Sequence, residues 1–96
     1  MPLHAHEAGF DLHGAVHGVL HGATDPVSPK SDRDAFEAEM DAAGARWYQL
    51  VFGRVVHSYT DPHANSLPVS KYDEAATRHS YTLAHAFIED AFAGRL

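Results

Sequence analysis

VHGVLHGATDP (residues 16–26) and WYQLVFGRVVHSYTDP (residues 47–62) are the stretches on which the fold turns. The first opens on Val16, Val19 and Leu20 interleaved with His-Gly pairs, the second on a run of aromatic and β-branched residues, and each closes on an Asp-Pro turn. In the first, His17-Gly18 and His21-Gly22 continue a repeat begun by His13-Gly14, with a period of four. A four-residue step returns to the same face on a helix and on a strand, so the period alone does not choose between them. The glycines do choose. Each weakens a helix by roughly 1 kcal/mol, and Val16, Val19 and Leu20 then favour a strand over 16–22. Trp47 to Phe52 predicts a second strand.

Between these strands, Asp25-Pro26 and Ser28-Pro29 mark a loop, because the residue before a proline is driven out of the helical region. A helix is expected next, with Ser31 as its N-cap, Asp32 and Asp34 at the positive end of its dipole, and Phe36, Met40 and Ala43 forming the buried stripe. Gly44 ends it. Beyond the second strand, Gly53 to Ser70 reads as a long irregular segment. Ser70-x-x-Asp73 resembles a capping box and predicts a last helix whose Ala76, Leu83, Phe87, Ile88, Ala91 and Phe92 make an apolar face up to Gly94. The order is βαβα, the unit that gives parallel pairing through a right-handed crossover. Two parallel strands leave sheet surface without cover, so homodimerisation is expected to complete the fold.

At 96 residues and 10.5 kDa the chain makes one small α/β domain over 16–96, preceded by a histidine-rich extension over 1–15. The formal charge of −6 argues against nucleic acid and anionic membranes as partners. With no cysteine, the chain has neither disulfides, thiolate zinc sites nor a thiol nucleophile. No Lys or Arg precedes Lys30 and no apolar run reaches membrane-spanning length, so a cytoplasmic location is expected.

The segments VLHGATDPVSP, FEAEMDAAGARWYQLVFGRVVHSYTDP and YDEAATRHSYTLAHAFIEDAF together resemble the carboxy-terminal part of dienelactone hydrolases, a branch of the α/β-hydrolase fold. The resemblance covers about Val16 to Phe92 and keeps motif order and spacing. It implies that Asp25, in the HGxxDP motif, is the acid of a catalytic triad, and that His57, in the HSY motif, is its histidine. The chain departs from the family in lacking the nucleophile elbow: no serine has glycines two residues away on both sides. The similarity is therefore to a fragment of a hydrolase.

Nine histidines are the outlier of the composition, five of them within the first 21 residues. A carboxylate on Nδ1–H fixes the tautomer of an imidazole and leaves Nε2 as a base or a metal ligand, which makes His57 with Asp25 the strongest pair. On an extended segment His4 and His6 point the same way, and with His57 they make up three nitrogens suited to Zn²⁺. His57, Asp61 and His63 form a second candidate set, set against an ordinary Asp61-Pro62 turn. His21 reads as a packed residue, while His79 and His85 read as structural or surface residues. The expectation drawn from these residues is a homodimeric, zinc-type metal-dependent hydrolase of activated esters or phosphoesters. In it a metal on His4, His6 and His57 generates hydroxide in place of the absent nucleophile. Two alternatives stand beside it: a catalytically inactive metal-binding or interaction protein, and a metal-free esterase using His57 and Asp25 as a general-base pair.

Overall fold

A computed structural model describes residues 16–96. Strand β1 (Val16–Gly22), helix α1 (Lys30–Ala42) and strand β2 (Arg46–Phe52) form the expected crossover, followed by β3 (Asn65–Ser66), β4 (Ser70–Lys71) and α2 (Glu74–Phe92). β1 and β2 pair in parallel from Val16 opposite Arg46 to Gly22 opposite Phe52. The domain is thus mixed α/β. Its 1–15 extension, with His4, His6 and His13, lies outside the described residues.

Helices cover opposite faces of the strand pair. Phe36 and Met40 of α1 are fully buried and pack with Val19, Ala43, Ala45 and Trp47, the Trp47 ring meeting Phe36 edge-on at 6.4 Å. Tyr48, the next residue along β2, must point to the other face, and there it meets Phe87 of α2 edge-on at 5.7 Å. A Cβ on Gly18 would lie 3.1 Å from the Phe87 ring, so the bare backbone is what lets that ring settle on β1. Cover on this side is incomplete: Leu50, Leu83 and Ile88 are 43%, 40% and 52% exposed.

Both helix starts differ from the expected ones. Pro29, not Ser31, occupies the N-cap of α1 without a side-chain hydrogen bond, because its carbonyl already accepts from the Asp32 and Arg33 amides and places Ser31 inside the first turn. Asp73, not Ser70, caps α2: its carboxylate accepts from the Ala76 amide at 2.9 Å, while Ser70 is held in β4. The segment expected to be irregular contains an antiparallel hairpin, with Asn65 opposite Lys71 and Ser66 opposite Ser70. Val69 donates to the Ser66 carbonyl to close it.

A second close approach holds the two strand ends together. A Cβ on Gly22 would lie 2.4 Å from the Val55 carbonyl oxygen, and that oxygen accepts from both the amide and the hydroxyl of Thr24 at 3.0 Å. Ala23 donates to the Phe52 carbonyl at 2.8 Å. The chain leaving β1 is therefore laced to the chain leaving β2, and Val55 is buried at the junction. The opposing atoms are backbone, which cannot swing aside as a side chain would. Gly22→Ala is expected to lower unfolding free energy by about 1–3 kcal/mol in urea titration, and a variant as stable as the parent would show that this junction tolerates separation.

Candidate active site

Loops after both parallel strands bring the predicted pair together. Asp25 Oδ2 lies 3.1 Å from His57 Nδ1. The carboxylate is fixed from its other oxygen, where Oδ1 accepts from the amides of Val27 at 2.8 Å and Ser28 at 3.3 Å. Proline at 26 favours this turn, and the side chain satisfies backbone donors that the loop would otherwise leave open. The Asp25 side chain is only 12% exposed, against 43% for His57, so the acid is the inner member and the imidazole the outer.

His57 is held by its backbone as firmly as by its ring. Its amide donates to the Val69 carbonyl at 3.0 Å and its carbonyl accepts from the Lys71 amide at 3.3 Å, which binds it to the 65–71 hairpin. The chain then turns sharply at Ser58, whose φ of 56° is left-handed for a residue with a Cβ. Tyr59 continues the anchorage: its carbonyl accepts from the Asp73 amide and the Thr77 hydroxyl, and its own hydroxyl meets Ser80 Oγ at 2.8 Å. Hairpin and α2 therefore position the histidine from two sides.

The pair opens into a cleft of about 440 Å³, walled by β1 residues 19–22, by Val27 and Ser28, by residues 57–60 and by Ser80, Tyr81 and Ala84 of α2. Ser28, in that wall, has a buried Oγ with no protein hydrogen-bond partner among the described residues; His21 Nε2 is likewise buried and unpartnered, but its ring lies on the α1 face of β1. Sequence reading placed His21 as packed, which it is, but missed Ser28. Its only signal was a small residue between two prolines. Burial lowers the His21 pKa below its usual 6.5; the Gln49 side chain opposes this and the Arg33 charge adds to it.

Other histidines fall elsewhere. His63 is exposed, and its amide donates to Asp61 Oδ1 at 2.9 Å, the signature of an ordinary turn. His79 is exposed, and His85 pairs with Glu89 on the surface of α2 at 3.6 Å. Among the described residues no group of three or more His, Asp or Glu is arranged to hold a metal, so His57, Asp61 and His63 do not form the second candidate set. His4 and His6 lie outside the described residues, and His57 is the one member of the expected zinc triad within them. Among the described residues no helix is long and apolar enough to cross a membrane.

No family model and no solved structure matches the chain. An uncharacterized protein of Caenorhabditis elegans is 34% identical to it over 77 residues. That alignment takes in 78% of this chain and 49% of the worm protein, so the chain spans about half the length of the curated relative it matches.

The lowered His21 pKa fixes the sign of one pH effect. Above pH 6.5 the imidazole is neutral in folded and unfolded chains alike, and the fold keeps its full stability. As pH falls through 6.5 and then through the lower folded value, the unfolded chain takes up a proton that the buried ring resists, and stability is lost. His21→Gln is therefore expected to lose less stability than the parent between pH 8 and pH 5 in urea titrations. Equal losses in the two proteins would remove His21 from the acid response.

Proposed function

We propose that the chain hydrolyses activated esters, with His57 as general base and Asp25 as the group that orients it. The observation that carries this reading is the 3.1 Å Asp25–His57 contact on the wall of an open cleft. With Nδ1–H donated to Asp25, His57 Nε2 is left as an acceptor for a water proton. The water oxygen forms a bond to the ester carbonyl carbon as its proton passes to Nε2, and Asp25 stabilises the resulting imidazolium. Collapse of the tetrahedral species breaks the carbon–oxygen bond of the leaving group, which receives the proton back from His57. A lone general base is worth about 10² to 10⁴ in rate, which suits good leaving groups.

Placement of an acid after one parallel strand and a histidine after the next supports kinship with the carboxy-terminal part of dienelactone hydrolases. It also agrees with the general position of sites at the carboxyl ends of strands in open α/β sheets. Homodimerisation belongs to the same proposal. Among the described residues β1 and β2 have only each other as neighbours, and the free strand edges are ready surfaces for a second copy.

A zinc-dependent form of the reaction uses the same histidine. His4 and His6 would join His57 as nitrogen ligands, and bound metal would supply an acidified water and a Lewis acid. Nitrophenyl acetate hydrolysis by tag-free protein separates the two forms. His57→Ala is expected to reduce the rate to background, while His79→Ala and His85→Ala retain it. Under the general-base mechanism, chelation and removal of residues 1–8 leave the rate intact. Loss of activity in both, with the circular dichroism spectrum preserved, would assign the reaction to metal held by the extension. Comparable losses from the helix histidines would move the site away from His57.

A further inference from the structure

Beside the polar cleft lies a second, almost wholly apolar groove of about 250 Å³, lined by Gly18, Tyr48, Leu50, Leu83, Phe87 and Ile88. The two adjoin, because Val19, Leu20 and Ala84 belong to the walls of both. Along β1 the groove is lined from Gly18 to Leu20, a span of about 7 Å at roughly 3.3 Å per residue. Its floor is shaped by Phe87 lying on Gly18 and meeting Tyr48 edge-on. Its rim is the set of aliphatic side chains that α2 and β2 leave partly open, Leu50, Leu83 and Ile88. Apolar surface beside a polar site is the usual form of a ligand pocket: a few convergent polar groups next to a larger apolar wall.

We propose that this groove binds the unbranched aliphatic arm of the substrate, so that the site takes medium-chain acyl esters in preference to acetyl or charged ones. This rests on the reading of the Asp25–His57 cleft as an ester site and adds the class of ester to it. Three features favour an alkyl chain over a second copy of the protein. The groove is small, its 250 Å³ giving room for about eight methylene groups if each takes roughly the 30 Å³ of a liquid water molecule. It lies directly beside the cleft, with Val19, Leu20 and Ala84 common to both walls. None of its lining side chains named above carries a charge, whereas the chain as a whole bears −6 and would disfavour an anionic arm.

Two readouts on the full chain test this, one of which needs no catalysis. In the first, KM is measured for nitrophenyl esters from acetate to octanoate. It is expected to fall about three- to fourfold per added methylene until the groove is filled, and this dependence is expected to flatten in Ile88→Ser and Leu83→Gln. Both positions are partly exposed, so the fold tolerates polar side chains there. In the second, N-methyloctanamide is titrated into the protein and followed by the methyl resonances of Leu50, Leu83 and Ile88, with N-methylacetamide as control. Octanamide binding at these methyls without ester hydrolysis would uphold the groove while overturning the hydrolase reading. Hydrolysis with no chain-length dependence and no octanamide binding would overturn the groove alone. If Ile88→Ser instead turns a dimer into a monomer by light scattering and octanamide leaves the methyls unmoved, the groove is an interface between copies and the proposal is wrong.

Discussion

Everything in the candidate site depends on the contact between Gly22 and the Val55 carbonyl. Parallel strands bring their carboxyl ends to the same side of a sheet, yet pairing alone leaves the departing loops free to diverge. Here the missing side chain at 22 admits the backbone at 55, and Thr24 then ties the approach with two hydrogen bonds to one oxygen. One residue further along, Asp25 is turned inward and capped by the Val27 and Ser28 amides; two residues beyond Val55, His57 meets it. The hairpin and the start of α2 hold the histidine from its other side.

Glycine and histidine in the HG repeat have separate tasks. Alternation along β1 sends His17 and His21 to the α1 face and Gly18 and Gly22 to the other. Gly18 makes room for Phe87 and Gly22 for the Val55 backbone. The two copies of the repeat within the described residues are therefore accounted for by packing on both faces of one strand. That assignment leaves His57 as the histidine of the described residues whose carboxylate partner, Asp25, shares the wall of the same cleft.

Much of this was legible beforehand because it rests on local chemistry. The β-branched and aromatic runs gave both strands, the Phe36, Met40 spacing gave the core face of α1, and Gly44, at φ 70°, stopped that helix as expected. Asp25 and His57 were singled out by the resemblance to dienelactone hydrolases, with which their place just past each strand agrees. Other features were hidden because they depend on distant partners. The hairpin at 65–71 is two residues wide on each side and made of Asn, Ser and Lys, none of them strong strand formers, so its stability comes from docking against His57. Ser70 satisfied a capping pattern but was claimed by that hairpin, which left Asp73 to cap α2. The buried Ser28 and the apolar groove emerge only when α2 is laid across β1.

The central claim is that Asp25 holds His57 in the tautomer that leaves Nε2 bare, and ¹⁵N NMR of the imidazole ring tests it directly. Long-range ¹H–¹⁵N spectra at a pH where His57 is neutral are predicted to show a protonated Nδ1 and an unprotonated Nε2 in the parent protein. In Asp25→Asn that preference is predicted to be lost. A parent His57 that carries its proton on Nε2, as free histidine mostly does, would contradict the account.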